Sequence, residues 1–97
     1  MTTYVSLVNW TQEGAQNFRE TINRAEEFTK LVENSGGSVR EVLWTLGDYD
    51  SLAIVDFPDD ETAVAALLQV GAQGQVRTHT MRAFGAEEMS SIVRKAT

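Results

Sequence analysis

The chain has 97 residues, 42% of them hydrophobic, which is enough for one small domain with one core. Its 14 acidic and 8 basic side chains give a net charge of −6. This balance disfavours nucleic acids and anionic membranes as partners, because binding phosphates requires clustered Lys and Arg. The absence of cysteine excludes disulfides, thiolate metal sites and cysteine nucleophiles.

The N-terminus and the apolar runs place further limits on the class of protein. "MTTYVSLVNW" lacks the basic region and long apolar stretch of a signal peptide. No apolar run approaches the roughly 20 residues that a membrane span needs. We therefore expect a cytoplasmic protein that forms a single domain over residues 1–97.

The first segment, "TYVSLVNW", is rich in β-branched and aromatic residues and predicts a strand. Its alternation places side chains on two faces: Val5 and Leu7 on one, and Tyr4, Ser6, Val8 and Trp10 on the other. Thr11 is a suitable N-cap for a long amphipathic helix over residues 12–34. The predicted buried stripe of this helix consists of Ala15, Phe18, Ile22, Ala25, Thr29 and Val32, with Phe28 at its edge.

Charges and a glycine pair complete the prediction for this helix. Glu20 and Arg24 have the i,i+4 spacing of an exposed ion pair and lie away from the stripe. "NSGG" ends the helix, with Gly36 or Gly37 as the left-handed cap.

The segments "SVREVLWTL" and "YDSLAIVDF" predict two strands joined by a short link, and therefore an antiparallel hairpin. Gly47 and Asp48 have the chemistry of a turn. The second of these strands is apolar on both faces: Leu52 and Ile54 on one, and Ala53, Val55 and Phe57 on the other. Because an antiparallel strand with one wet face should alternate, we expect both faces of the sheet to be covered.

Pro58 ends that strand, and Asp59 is the predicted N-cap of a second helix that "GAQGQ" terminates. The predicted buried stripe of this helix is Val64, Leu67, Leu68 and Gly71. "VRTHTMRAF" predicts a fourth strand, and "AEEMSSIVRK" predicts a short C-terminal helix.

The order β-α-β-β-α-β predicts an α+β, ferredoxin-like fold with an antiparallel four-stranded sheet in the order 4-1-3-2. Both long helices should lie on one face of the sheet. The chain has no further element large enough for the other face, so we expect a second subunit to pack there, sheet against sheet.

Four blocks carry a resemblance to a known family: "YVSLVNWTQEG", "WTLGDYD", "DDETAVAALL" and "GQVRTHTMRAF". Together they resemble the GYD domain family over residues 3–84, with the Gly-x-Tyr-Asp signature at Gly47, Tyr49 and Asp50. The family comprises small bacterial and archaeal proteins without a settled biochemical function. The resemblance implies a ferredoxin-like fold that associates as a dimeric α+β barrel. His79 stands where similar proteins are expected to have an acidic residue.

The signature tip offers candidate chemistry in Asp48, Tyr49 and Asp50. One interpretation is a polar cluster at a pocket mouth, in which Asp50 orients or deprotonates a ligand and Tyr49 donates a hydrogen bond. The alternative is a turn whose carboxylates accept hydrogen bonds from local backbone N–H groups.

The fourth strand contributes His79, Arg77 and Arg82. His79 is either a ligand contact or a surface residue, and no spacing of potential ligands indicates a metal or cofactor site. The two arginines lie on opposite faces of the strand. One of them could bind a carboxylate or phosphate, or they could form structural salt bridges, for example with Asp50 or Asp56, or across a subunit contact.

Trp10 and Trp44 end the first and second strands. They are either walls of an apolar pocket between sheet and helices or anchors of the core or of an interface. The sequence contains no phosphate-binding loop, no dinucleotide fingerprint and no nucleophile elbow.

These features favour a small oligomeric ligand-binding or regulatory module without turnover, whose partners are its own copies and a small molecule. One alternative is a cofactor-independent enzyme, such as a small monooxygenase or isomerase. Its site between sheet and helices would use Trp10, Trp44, Tyr49, Asp50 and His79. Another alternative is a structural subunit of a larger assembly. Fold alone does not decide between them.

Overall fold

A computed structural model describes all residues, 1–97, as four strands, four α-helices and one 3-10 turn. The elements in chain order are β1 (Thr2–Trp10), α1 (Gln12–Gln16), the 3-10 turn (Phe18–Glu20), α2 (Thr21–Asn34), β2 (Ser38–Trp44), β3 (Ser51–Phe57), α3 (Asp60–Ala72), β4 (Val76–Ala83) and α4 (Ala86–Ala96). None of the helices combines the length and apolar character that crossing a membrane requires.

The four strands form one antiparallel sheet in the order β2-β3-β1-β4. This is the predicted order 4-1-3-2 read from the opposite edge, and the α+β class and the β2-β3 hairpin are confirmed. In the central strand, Val5 lies opposite Ile54 of β3 and Met81 of β4. Tyr4 lies opposite Val55 and therefore on the other face.

The core lies between one face of this sheet and the helices α2 and α3. Its buried members are Tyr4, Val32, Ala53, Val55, Phe57, Ala63 and Ala66. The rings of Tyr4 and Phe57 meet edge to face with centroids 5.8 Å apart. The Tyr4 hydroxyl donates a hydrogen bond to Asp60 and so connects the sheet to the first residue of α3. Burial raises the pKa of Tyr4, and the hydrogen bond to Asp60 raises it further.

The predicted stripe of α3 is wrong. Ala63, Ala66 and Val70 are buried, whereas Val64 is 55% and Leu68 is 69% exposed. Small residues on the buried face allow the helix to approach the sheet closely. Because α3 is apolar on almost every side, its composition does not distinguish the buried face from the exposed one.

The predicted continuous helix over residues 12–34 is divided into α1, the 3-10 turn and α2. Thr11 caps α1 as predicted, accepting from the Gly14 N–H at 3.1 Å. Phe18 and Ile22 are 51% and 60% exposed. Phe18 lies in the 3-10 turn, outside α2, and the inner face of α2 is centred on Phe28 and Leu31, so that Ile22 lies away from it. The C-terminal half of the prediction is confirmed: Val32 is fully buried.

Two predicted caps are also confirmed. Gly36 follows α2 with a φ of +86°, the left-handed conformation that ends the helix without a Cβ penalty. Asp59 caps α3 by accepting a hydrogen bond from the Thr62 N–H at 2.8 Å. The bonds from Thr62 hold the pKa of Asp59 below its usual value.

The face of the sheet opposite α2 and α3 is here called the open sheet face. It is formed by Val5, Leu7, Leu43, Leu52, Ile54 and Met81. Leu43 and Met81 are 48% and 49% exposed, and α4 contains no buried residue. One apolar face of β3 therefore packs against the helices, and its other apolar face belongs to this exposed apolar surface of the sheet.

The buried carboxylate of Asp56 is held at the top of the open sheet face. A β-bulge between Val39 and Glu41 leaves Arg40 out of the strand register, and its Nε donates to Asp56 at 2.6 Å. Thr3 donates to the other carboxylate oxygen at 2.6 Å. Burial alone would raise the pKa of Asp56, but these two hydrogen bonds outweigh it and hold the pKa below its usual value.

Replacing Arg40 by glutamine should lower the free energy of unfolding at neutral pH by about 1–2 kcal/mol. The loss is smaller than for a fully buried pair because the Arg40 side chain is 59% exposed. A depressed pKa of Asp56 stabilises the folded state at pH values above about 3.9, the pKa of aspartate in the unfolded chain. This contribution disappears as the pH falls through the pKa of Asp56 in the folded state. Urea unfolding of Arg40→Gln should therefore show a shallower loss of stability between about pH 5 and pH 3.

The matched control is Lys30→Gln, which removes the same charge from an exposed position on α2. It should leave both the stability and its acid dependence nearly unchanged. Equal effects of the two substitutions would show that the pairing of Arg40 with Asp56 contributes nothing specific.

Candidate functional site

An open pocket with a cavity volume of about 100 Å³ lies between the helix-bearing face of the sheet and α2, with the end of α3 and the start of β4 at one side. Ten of its 18 lining residues are hydrophobic, so its interior suits an apolar group. The apolar lining consists of Val8, Trp10, Ala25, Phe28, Leu31, Val42, Trp44, Ala53, Val70 and Val76.

Both tryptophans lie in the wall of this pocket, where one of the two sequence interpretations placed them. Trp44 is 45% exposed at the mouth, and its Nε1 donates to the Thr21 hydroxyl at 2.9 Å. This bond connects the end of β2 to the first turn of α2 and fixes the indole plane. Trp10, at the end of β1, lines the same pocket from the sheet, where the strand alternation directs it towards the helices.

The rim of the pocket is polar. Arg24, Glu27, Gln73 and Gln75 belong both to the pocket and to an adjoining polar cleft, which also includes Asn17. Arg24 and Glu27 are the ionisable members of the pocket lining. The residues with shifted pKa values, Tyr4, Asp56 and Asp59, all lie outside the pocket. No group of three His, Asp or Glu side chains is arranged to hold a metal ion.

Arg24 is the functional candidate that sequence reasoning missed. The predicted ion pair with Glu20 is absent, because Glu20 ends the 3-10 turn and is not part of the regular helix. The guanidinium of Arg24 instead extends to Gln75, the residue before β4, donating to its side-chain oxygen at 3.2 Å. A sequence signal does exist: Arg24, Phe28 and Leu31 have the spacing of one helix face, and all three line the pocket.

The chain folds so that α1 lies against the start of β4 and forms this rim. Gly14 is buried, and a Cβ at this position would overlap the carbonyl oxygen of Gln75. The Thr11 N–H donates to the same carbonyl at 3.1 Å, and its hydroxyl donates to Gly74 at 2.7 Å. Only glycine permits this approach, which places Gln75 within reach of Arg24.

Asp50 has a structural role at the hairpin tip. Its carboxylate accepts from the backbone N–H of Trp10 at 2.8 Å, and its own N–H donates to the carbonyl of Val8 at 2.9 Å. Its carbonyl accepts from Thr45 at 2.9 Å. The tip is thus attached to the end of β1, while Asp48 is exposed.

Tyr49 and His79 meet on the other side of the sheet, with ring centroids 5.8 Å apart at 73°. His79 lies opposite Leu7 in the strand register, and Arg77 lies opposite Asn9, so both are on the open sheet face. The site that the enzyme interpretation places between sheet and helices is therefore divided: the two tryptophans line the pocket, whereas Tyr49 and His79 face away from it.

Arg82 lies apart from both groups. Its Nη2 contacts Glu88 of α4 at 3.3 Å, and its guanidinium lies 4.4 Å from the centre of the Phe84 ring. Arg82 thus forms a structural salt bridge, as one interpretation proposed, but its partner is Glu88 and not Asp50 or Asp56. Arg77 forms no salt bridge within the chain. Arg82 instead connects β4 to the start of the C-terminal helix.

The fold and the site define an α+β domain with an apolar pocket between its sheet and its helices. The sequence model of the GYD domain matches residues 4–93, and the chain belongs to the GYD domain family. The resemblance drawn from the four sequence blocks is confirmed.

Individual relatives agree with this assignment. A protein of Thermus thermophilus named glutamine synthetase and cystathionine beta-lyase binding protein is 31% identical over 86 residues, covering 87% of this chain and 90% of that protein. The crystal structure of TTHA0845, also from Thermus thermophilus, is similar with a TM-score of 0.55 and 26% identity, covering 89% of this chain and 96% of that one. The crystal structure of FFRP-DM1 has a TM-score of 0.64 at 17% identity, over 87% of this chain and all (100%) of that one, which shows the shared fold.

Replacing Asp50 by alanine should lower the free energy of unfolding by about 1–3 kcal/mol, because the Trp10 N–H loses a charged acceptor. Asp48→Ala removes the same group two residues away, where it is exposed, and should change stability by less than about 0.5 kcal/mol. Chemical unfolding of both variants at one protein concentration measures the difference. Equal stabilities would show that the Asp50 carboxylate does not hold the tip against β1.

Proposed function

We propose that this protein is a small, self-associating binding module that regulates by binding and not by turnover. It takes a small molecule into the pocket between sheet and helices. The observation that carries this proposal is the pocket itself, with its apolar walls and a polar rim in which Arg24 and Glu27 are the ionisable groups.

The arrangement favours binding over catalysis. A cofactor-independent enzyme needs acid–base groups beside the bound substrate. The groups that the enzyme interpretation offers are the side chains of Tyr49, Asp50 and His79. Tyr49 and His79 lie on the open sheet face, and the Asp50 carboxylate is bonded to the Trp10 N–H. The pocket also gives the chain a feature that a purely structural subunit does not need.

Self-association through the open sheet face supports the same function. We propose that the fold is ferredoxin-like and that two copies pack these faces together as a dimeric α+β barrel. A two-fold axis brings the same surface of both copies together, so one apolar face is sufficient for a complementary contact. Leu43 and Met81, which are about half-exposed in the single chain, would be buried in this contact.

A protein partner is the second part of the proposal. The relative from Thermus thermophilus is named for binding glutamine synthetase and cystathionine beta-lyase. We infer that this chain likewise binds a larger protein, and that occupancy of its pocket regulates this binding. Its net charge of −6 favours a partner with a basic surface.

Self-association is tested by Met81→Glu, which places a charge in the proposed contact. The wild-type protein should sediment as a homo-oligomer, and Met81→Glu should be monomeric because burying an unpaired carboxylate is costly. Val64→Glu is the matched control on α3, since Val64 is 55% exposed on a different surface, and it should remain oligomeric. A monomeric wild-type protein in analytical ultracentrifugation would contradict the sheet-to-sheet contact.

Ligand binding is tested by native mass spectrometry of the purified wild-type protein under gentle conditions and then at increasing collision energy. We expect a reproducible additional mass on each subunit that is lost before the subunits unfold. A variant with a filled pocket, Ala25→Trp, should lose the additional mass, whereas Ala65→Trp on the exposed side of α3 should retain it. Retention of the mass by Ala25→Trp would place the ligand elsewhere.

A further inference from the structure

We infer that the ligand of the sheet–helix pocket is a small organic anion with one carboxylate and an apolar body. The carboxylate binds to Arg24 at the rim, and the body lies between Trp10 and Trp44. This inference rests on the proposed ligand-binding function and specifies the class of ligand.

Arg24 has hydrogen-bond donors that no other residue of the protein uses. A guanidinium has five N–H donors. Three are used by neutral acceptors: Nη1 donates to the Asn17 carbonyl and to the Gln75 side chain, both at 3.2 Å, and Nη2 donates to the Gly14 carbonyl at 3.4 Å. The Nε–H and one N–H of Nη2 have no protein partner, and two such donors match the two oxygens of a carboxylate.

The positive charge of Arg24 is not paired with a carboxylate of the protein. No carboxylate lies within 4.0 Å of its guanidinium, unlike those of Arg40 and Arg82. The two acids that border the polar cleft beside Arg24 form no ion pair with it: Glu20, at the end of the 3-10 turn, accepts from Asn23 at 2.8 Å, and Glu27 of α2 lies on the rim. The guanidinium is thus held in place by neutral groups and retains its full charge for a ligand.

Glu27 explains why the ligand should carry a single negative charge. Its carboxylate belongs to the same rim as Arg24, so it repels additional negative charge at the mouth. A second negative charge on the ligand would be attracted by Arg24 and repelled by Glu27 in comparable measure, so it would add little to binding. A monocarboxylate uses both free donors of Arg24 and faces the repulsion once.

The walls define the rest of the ligand. Behind the rim, Phe28, Leu31 and Val42 continue the apolar surface between the two indoles. A small aromatic or branched aliphatic body can pack against this apolar surface. The ligand class is therefore an aryl- or alkyl-substituted carboxylic acid.

The test compares 4-phenylbutyrate with its neutral amide, 4-phenylbutanamide, by titration of intrinsic tryptophan fluorescence. Trp10 and Trp44 are the two tryptophans of the chain and both line the pocket, so the whole signal reports on this site. The wild-type protein should bind the acid about tenfold more tightly than the amide, which corresponds to one charge-assisted hydrogen-bonded pair. Arg24→Gln should abolish this preference, with the affinity for the acid falling about tenfold relative to that for the amide.

Two further variants control for general charge effects. Lys30→Gln removes a cation from the exposed part of the same helix and should preserve the preference for the acid. Glu27→Gln should strengthen acid binding severalfold, because it removes the repulsion at the rim, and should leave the amide unaffected. Retained amide binding by Arg24→Gln also shows that the pocket of this variant is formed.

The outcomes separate this inference from the proposed function. If the wild-type protein binds acid and amide equally, the anion inference is wrong and the apolar pocket stands. If neither probe binds to the wild-type protein, the pocket is not a site for such ligands, and both the inference and the ligand-binding part of the proposed function fail. Loss of acid preference in Lys30→Gln as well as in Arg24→Gln would likewise overturn the role of Arg24.

Discussion

The pairing register of β1 with its two neighbours determines the arrangement of the other groups in this protein. A slip of one residue would exchange the two faces of the strand. Ser6 is only 2% exposed and its hydroxyl lies 2.9 Å from that of Thr80 in β4, a polar contact inside the core that a shifted register would leave unpaired. At the end of the strand, Asp50 accepts from the Trp10 N–H and fixes the hairpin in the same register.

This register separates the two functional surfaces. Tyr4 is directed into the core and Trp10 into the pocket, while Val5 and Leu7 belong to the open sheet face. The same strand thus supplies a wall of the ligand site and part of the surface proposed for self-association. Substitutions at alternate positions should therefore affect one surface and leave the other intact.

Local signals predicted the fold well. The strand segments, their order and the caps at Thr11 and Asp59 depend on patterns within a few residues, and these are read directly from sequence. The errors arose where tertiary packing decides. The break at Asn17 comes three residues after Gly14, which packs closely against Gln75, a residue distant in sequence. Helix α3 has one apolar stripe of small residues and another of larger ones. The stripe of small residues is buried, because it allows the helix to pack closer to the sheet.

The candidate site was predictable only in part, for a related physical reason. Strand alternation correctly predicts that Arg77 and His79 lie on the opposite face of the sheet from Arg82. It could not show which face of the sheet forms a pocket. The sequence predicts Arg24 on the solvent side, because its spacing from Glu20 is that of an exposed ion pair in a regular helix. With the 3-10 turn in place, that spacing no longer brings the two charges together. The released guanidinium turns to the backbone carbonyls of Asn17 and Gly14. The irregular segment between β1 and α2 therefore removes the ion-pair partner of Arg24, and it leaves an unpaired cation beside an apolar pocket.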